Sequence, residues 1–189
     1  AIDRGYPVVT LHDGGGHRIQ EGLDARPTAQ GDGGLFRQQT KLSGWVPFVS
    51  AMMGPGFAAP TNFSVMADFV PMVEGSTLGV AGPSLVEAAL GTELSKQELG
   101  GTDVHTARTG MADAAYPSDE ACLDAIIEWL SYLPRNCRRD PPAAEPRPPE
   151  RDPDRLVDVI PADPKKGYDV HDVLAGVGDG GPVPETKAP

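Results

Sequence analysis

The sequence has 189 residues, of which 39% are hydrophobic and 23% are charged, and its formal net charge is −11. These values are typical of a globular protein with one core of ordinary size. The acidic balance argues against binding to nucleic acid, which requires a basic face, and no apolar run approaches the roughly 20 residues of a membrane-spanning helix.

Three short apolar runs each lead into glycine and then into a stretch that is compatible with a helix. PVVTLH precedes DGGGHRIQEG, VPFVSAMM precedes GPGFAAPTNF, and TLGVA precedes GPSLVEAAL. Short runs rich in valine and bounded by Gly or Pro are typical of buried strands, although periodicity alone does not exclude short core helices. We therefore predict a repeating unit of strand, glycine turn and helix, with Met52, Met53, Met66 and Met72 filling gaps in the core.

Two helices have clear start signals. Ser95 and Glu98 have the spacing of a capping box, and the pair of glycines at 100 and 101 is placed to end that helix. Ser118 is an N-cap followed by acidic residues, and the helix it starts should end before Pro134. The apolar face predicted for this second helix consists of Leu123, Ile126, Ile127 and Leu130.

The composition changes after residue 139. Residues 140–153 alternate Pro, Ala, Glu and Arg, which predicts an extended or mobile linker. Residues 154–175 retain some apolar pattern and are interpreted as a small docking segment, and the Gly- and Pro-rich residues 176–189 as a flexible tail. The globular part then covers residues 1–139.

The glycine triplet Gly14, Gly15 and Gly16 follows the first predicted strand. It is neither a Walker loop, because no Gly-Lys-Ser/Thr follows, nor a dinucleotide fingerprint, because Ile19 replaces the third spaced glycine. Bare amides at a strand-to-helix turn suit an anion or oxyanion site, and the same residues suit a plain tight turn. Both interpretations stay open at this level.

Other titrating or nucleophilic residues give weaker signals. His12 and His17 flank the glycines, but they lack the spacing of a zinc pair and the sequence lacks the G-x-S-x-G elbow of a hydrolase. Cys122 and Cys137 are interpreted as reduced thiols, and we expect no metal site. The first residues lack the features of a signal peptide, so we expect a cytoplasmic protein.

The ordered set of motifs resembles the carboxyltransferase, or beta, subunit of biotin-dependent acyl-CoA carboxylases, the group that includes propionyl-CoA carboxylase. The similarity runs over nearly the whole chain. The motifs that carry it are DGGGHRIQEG, LFRQQTKLSGWVP, MMGPG, ADFVPMVEGS, GPSLVEAALGTELSKQELGGTDVHTARTG, WLSYLPRN and IPADPKKGYDVHDVL.

The resemblance implies an α/β, crotonase-like (ClpP-like) spiral of strand-strand-helix units. Residues 1–139 would form part of the N-terminal carboxyltransferase domain, and residues 154–175 would lead toward a C-terminal half that is absent here. It also implies an acyl-CoA substrate, a biotin carboxylase or biotin carrier subunit as partner, and a hexameric ring of carboxyltransferase chains. Carboxybiotin would be carried by another domain or subunit, with no biotin attached covalently to this chain.

The resemblance assigns the site to main-chain amides. Gly15 and Gly16 match the family's oxyanion glycines, whose N–H groups would hold the enolate of the thioester while CO2 from carboxybiotin is added to its α carbon. Gly14, His17, Phe57, Ala58 and Ala59 are the remaining expected substrate-binding residues.

Four departures from the family pattern affect this assignment. Gly14 stands where similar sequences usually have Ser, His17 where they have a small residue, and Asp113 where His is common. The segment from Phe57 to Pro60 replaces a Gly-Gly pair that opens a helix, and the bulk of Phe57 is expected beside the thioester. Two other functions therefore stay open: a decarboxylase or transcarboxylase with the same enolate chemistry, and a non-catalytic structural subunit of a carboxylase complex.

Overall fold

Four parallel strands form the main sheet of the structure, a computed structural model that describes residues 1–14, 34–181 and 184–187. The strand order is β1-β2-β4-β6, and β3 and β5 form a second, two-stranded parallel sheet. The strands are β1 (Val8–His12), β2 (Phe48–Met52), β3 (Pro55–Phe57), β4 (Pro71–Val73), β5 (Thr77–Gly79) and β6 (Ala114–Tyr116).

Helices follow the strands in a regular order. A π-helical turn (Val104–Arg108) and a 3-10 turn (Pro153–Arg155) interrupt the α-helical series. The α-helices are α1 (Gly34–Leu42), α2 (Ala59–Ser64), α3 (Pro83–Leu90), α4 (Lys96–Gly100), α5 (Asp119–Ser131), α6 (Leu156–Val159) and α7 (Val170–Val177).

The strand-strand-helix unit that the resemblance implies occurs twice, and the runs predicted β2 and β5 but not β4. In β2-β3-α2 and again in β4-β5-α3, the first strand joins the main sheet, the second joins the small sheet, and a short helix follows. The prediction treated each apolar run as one strand and did not separate β3 from β2. The missed signal is the Gly-Pro turn after β2, which redirects the chain into the second sheet.

Both predicted helix starts are confirmed. Ser95 and Glu98 form a reciprocal capping box at the start of α4. The Ser118 hydroxyl accepts a hydrogen bond from the Ala121 N–H at 3.2 Å at the start of α5. Each cap satisfies a main-chain donor that has no partner inside its helix.

The prediction of the buried face of α5 is partly wrong. Cys122 and Ile126 are buried and Trp129 stacks on Phe69 at a centroid distance of 5.2 Å, whereas Ile127 is 66% exposed. The predicted face also included Leu123, which is 38% exposed. The helix therefore meets the sheet along the line of Cys122, Ile126 and Trp129, because the ring of Phe69 holds Trp129 against the core.

The two central strands of the main sheet, β2 and β4, are buried on both faces. Met52 and Met72 are fully buried and pair in register, as expected for residues that fill the core. Helices α2 and α5 contact these two strands. The buried centre of the sheet is therefore the rigid element that positions the strand ends.

The contacts of the chain define two compact units. The first contains Ala1–Pro142 with Glu185–Pro189, and the second contains Ala143–Pro184. In the second unit, α6 and α7 pack together, and Leu156 contacts Gly176. The boundaries predicted for a linker, a docking segment and a tail stay predictions. No helix in the described ranges has the length and apolar character needed to cross a bilayer.

Candidate functional site

The carboxyl ends of β1 and β2 lie side by side. His12 pairs in register with Met52, and its carbonyl oxygen accepts hydrogen bonds from the N–H groups of Met53 (2.8 Å) and Gly54 (3.2 Å). The Gly14 N–H donates to the carbonyl oxygen of Pro55 at 2.9 Å. These bonds tie the turn after β1 to the start of β3. In open parallel sheets, ligands bind outside this edge.

Two glycines shape this edge in different ways. A Cβ atom added to Gly54 would overlap the carboxyl group of Asp13, so the exposed side chain of Asp13 packs directly over this glycine. Among the described residues, a Cβ added to Gly14 would meet no atom within 4 Å. None of the described residues therefore fills the position in front of Gly14, where the resemblance implies a substrate.

The main oxyanion prediction falls on residues that the structure does not describe. Gly15, Gly16 and His17 lie outside the described residues, so their assignment stays a prediction. Gly14 is the described member of the triplet, and its N–H already donates a hydrogen bond to the carbonyl oxygen of Pro55. The oxyanion donors proposed for the triplet are accordingly the two later amides.

Phe57 ends β3 and is largely internal. It is 7% exposed, and its ring packs against Gly79 of β5, where an added Cβ would lie 2.7 Å from ring atom Cε1. Most of the ring therefore fills the space between β3 and β5. Contact of Phe57 with a substrate stays a prediction.

Ala58 has an unusual backbone conformation. Its φ of 69° and ψ of −112° lie in a region that L-residues rarely adopt. The conformation is held by its N–H, which donates to the Gly79 carbonyl at 2.8 Å, and by its carbonyl, which accepts from Asn62 at 3.3 Å. The family resemblance showed that this segment lacks the usual glycines. The positive φ of Ala58 is seen only in the structure.

The first turn of α2 leaves main-chain N–H groups without an acceptor in the part of the chain that the structure describes. Ala59 begins α2, and its N–H has no acceptor among the described residues. Pro60, which follows, carries no N–H at all. Ala58 and Ala59 follow the last residue of β3, whereas Gly14 is hydrogen-bonded to its first residue, Pro55. Their joint role in one site stays a prediction.

Sequence reasoning missed a stack of three rings at this edge. The ring of His12 stacks on Phe63 of α2 at a centroid distance of 6.2 Å, and Phe63 contacts Phe36 of α1 at 5.0 Å. The Nε2 atom of His12 lies 3.1 Å from the hydroxyl of Thr10. Burial lowers the pKa of His12, which favours a neutral imidazole. No pattern in the sequence links these rings, because they come from three separate elements.

Asp113 lies at the opposite edge of the sheet. Its buried carboxylate accepts a hydrogen bond from the Val70 N–H at 2.7 Å, just before β4, and lies 3.8 Å from the ammonium of Lys187. It therefore satisfies the backbone at the amino ends of β4 and β6. In the described ranges, no group of His, Cys, Asp and Glu is placed to hold a metal ion.

Comparisons with known proteins agree on one family. The model of the carboxyl transferase domain matches residues 1–189. The chain is 42% identical over 183 residues to the propionyl-CoA carboxylase carboxyltransferase subunit of Haloferax mediterranei, covering 96% of this chain and 35% of that protein. It is 33% identical over 188 residues to the methylmalonyl-CoA carboxyltransferase 12S subunit of Propionibacterium freudenreichii subsp. shermanii, covering 100% of this chain and 35% of that protein.

The fold is similar to a solved carboxyltransferase. The crystal structure of transcarboxylase 12S, described as a hexamer with hydrolysed methylmalonyl-CoA bound, superposes with a TM-score of 0.83 at 32% identity. The superposition covers 97% of this chain and 35% of that one. The predicted crotonase-like fold is confirmed, and the chain spans about a third of the length of the relatives it matches.

Proposed function

The chain belongs to the carboxyl transferase domain family, and we propose that it forms part of the carboxyltransferase component of a biotin-dependent acyl-CoA carboxylase. In this proposal CO2 is transferred from carboxybiotin to the α carbon of an acyl-CoA. The proposed partners are a biotin carboxylase or carrier subunit and further carboxyltransferase chains in a ring. A cytoplasmic location is part of the same proposal.

The observation that supports this function best is the position of Gly14 just after β1, where no described residue lies within 4 Å of an added Cβ. In this proposal a thioester carbonyl binds there, the amides of Gly15 and Gly16 are its donors, and the N–H of Ala59 at the start of α2 is a further candidate donor. Hydrogen-bond donors aimed at a developing oxyanion contribute roughly 3 kcal/mol each to transition-state stabilisation. We infer that these amides hold the enolate oxygen, because glycine and alanine leave its approach unobstructed.

The chain's own side chains are not required as the base. When bound, carboxybiotin would supply both the carboxyl group and the base that removes the α proton. The described residues fit this division of roles. His12, a described titrating ring at the end of β1, is half-buried in the ring stack and interacts with Thr10. The resemblance places carboxybiotin against the second half of a neighbouring subunit, so no residue of this chain is assigned to it.

The test is a Gly16→Val substitution in the assembled enzyme. Carboxylation is measured with biotinylated carrier, ATP, labelled bicarbonate and candidate acyl-CoAs, while thermal melting monitors the fold. We expect carboxylation to be abolished with the melting midpoint retained. Gly167→Val is the matched control, since an added Cβ at Gly167 meets open space. Unchanged carboxylation in Gly16→Val would contradict the oxyanion assignment.

A second candidate is a transcarboxylase or decarboxylase that acts on a malonyl-type thioester. It is favoured by the 33% identity to the methylmalonyl-CoA carboxyltransferase 12S subunit, and it needs the same oxyanion donors. Carboxyl transfer from methylmalonyl-CoA without ATP and bicarbonate would support it. If calorimetry detects no binding of any acyl-CoA, the chain is instead a structural subunit.

A further inference from the structure

The turn at Ala58 is held by one residue of β5. The Ala58 N–H donates to the carbonyl oxygen of Gly79 at 2.8 Å, and Gly79 is the last residue of that strand. The ring of Phe57, the residue before Ala58, packs on the same glycine. The positive φ of Ala58 therefore depends on where Gly79 lies.

The hydroxyl group of Thr61, in α2, joins this glycine to β3. Thr61 is 6% exposed, and its hydroxyl oxygen accepts a hydrogen bond from the Gly79 N–H at 2.9 Å. The hydroxyl proton is shared between two carbonyl oxygens, that of Gly79 at 2.7 Å and that of Gly56 in β3 at 2.9 Å. One side chain thus binds both main-chain groups of Gly79 and bridges the two strands of the small sheet.

The residue before Gly79 is anchored by other elements. Leu78 is fully buried, and its carbonyl oxygen lies 2.7 Å from Nε2 of His105 in the π-helical turn. Because a carbonyl oxygen can only accept, Nε2 carries the proton of this hydrogen bond. An added Cβ at Gly100 would overlap the same oxygen, so α4 also packs directly against it. The end of β5 is therefore a fixed point to which Thr61 ties the turn.

Removal of this hydroxyl would leave a main-chain group unpaired. Valine has nearly the shape of threonine but no hydroxyl, so Thr61→Val takes away the acceptor of the Gly79 N–H. A donor that is partly removed from water and left without a partner favours a rearrangement of the main chain around it. The adjacent Ala58 turn gains from such a rearrangement, because its backbone angles are rarely adopted by L-residues.

We propose that Thr61 is a positioning residue, which holds the Ala58 turn at positive φ and thereby sets the direction of the Ala59 N–H, the further candidate donor. Its buried side chain binds main-chain groups of β3 and β5, so it acts through the turn rather than on a substrate. The effect on turnover rests on the proposed carboxyltransferase function, whereas the effect on the turn does not. A donor misplaced by about 1 Å lowers an enzymatic rate on the order of 100-fold.

The first test is a double-mutant cycle that measures the turn without any substrate. In the wild type, Ala58→Gly should raise the midpoint of urea unfolding, because glycine adopts positive φ without strain. In the Thr61→Val background this rise should be lost, because the turn is then able to relax. In the Thr61→Ser background it should be retained, since serine keeps the hydroxyl. An equal rise in all three backgrounds, or no rise in the wild type, would overturn the proposal.

The second test measures carboxyl transfer in the assembled enzyme, with propionyl-CoA as the probe and biotinylated carrier, ATP and labelled bicarbonate as before. Thr61→Val should lower kcat roughly tenfold or more and change KM by less than about threefold, because a misdirected donor weakens transition-state stabilisation more than binding. Thr61→Ser should keep kcat within about threefold of the wild-type value. Circular dichroism confirms that each variant is folded.

Thr77→Val is the matched control for both tests. Thr77 lies in β5 and is 2% exposed, and within the described part of the chain its hydroxyl oxygen has no hydrogen-bond partner. This substitution removes a hydroxyl from the same small sheet and should change neither kcat nor the rise produced by Ala58→Gly. An unchanged kcat in Thr61→Val, or an equal loss in Thr61→Val and Thr77→Val, would overturn the positioning role. If the wild type transfers no carboxyl group to any acyl-CoA, the proposed function fails, and the double-mutant cycle still decides whether Thr61 holds the turn.

Discussion

Replacing Ala58 with glycine should stabilise the protein. Ala58 has φ 69° and ψ −112°, and it is exposed, so removing its methyl group leaves no cavity. An L-residue in a sparsely populated backbone region is destabilising by about 1–3 kcal/mol. Glycine adds roughly 0.5–1 kcal/mol of conformational entropy loss on folding, which offsets part of the relief.

The net gain is expected to be about 0.5–2 kcal/mol in the free energy of unfolding. For a chain of this size, each kcal/mol raises the melting temperature by roughly 2–4 °C. Urea denaturation and differential scanning calorimetry would both measure the change. Ala59→Gly, at the adjacent helical position, is the matched control and should be neutral or destabilising, because glycine is a poor helix residue.

The result that would refute the reasoning is a lower or unchanged midpoint for Ala58→Gly together with a native fold. Such a result would mean that the turn relaxes to a negative φ in solution. A gain in stability accompanied by altered acyl-CoA binding would further connect the strained turn to the proposed site.

Three further predictions concern a cap, a thiol and a histidine. Ser118→Ala should lower the free energy of unfolding by about 1 kcal/mol in urea denaturation, because the Ala121 N–H loses its acceptor, and an unchanged midpoint would contradict the capping role. Burial, with a smaller effect of a nearby carboxylate, raises the pKa of Cys122 to about 11, so thiol titration at neutral pH should detect Cys137 and reach Cys122 only after denaturation. The pKa of His12 is lowered by burial, so the unfolded chain binds a proton more readily, and this contribution to stability is present above pH about 6.5 and is lost as the pH falls below it. His12→Asn should reduce the loss of stability between neutral and mildly acidic pH, and identical pH profiles for the two proteins would exclude this contribution.

Much of the fold was predictable because its signals are local. The apolar runs at β1, β2 and β5, the caps at Ser95 and Ser118, and the order of the family motifs are each readable from neighbouring residues. The crotonase-like fold followed from the resemblance and is confirmed by the structural superposition. Gly14 lies two residues after β1, so the predicted site is at the carboxyl end of that strand, and the assignment of its residues stays a prediction.

Other features were not predictable because they depend on contacts between distant residues. The apolar pattern of α5 contains more than one possible face, and the sheet selects the line of Cys122, Ile126 and Trp129 through the ring of Phe69. The ring stack at His12 joins β1 to two helices that are remote from it in sequence. Neither arrangement has a signal in the local pattern.

The sequence by itself determined the family, the order of strand, turn and helix, and the helix starts, because short-range hydrogen bonding and apolar spacing specify them. The tertiary structure decided the positive φ of Ala58, the internal position of Phe57 and the outward exposure of Ile127. Each of these results from packing against a residue far away in the chain, such as Gly79 or Phe69. Local propensity contains no information about such a neighbour, so only the assembled sheet fixes them.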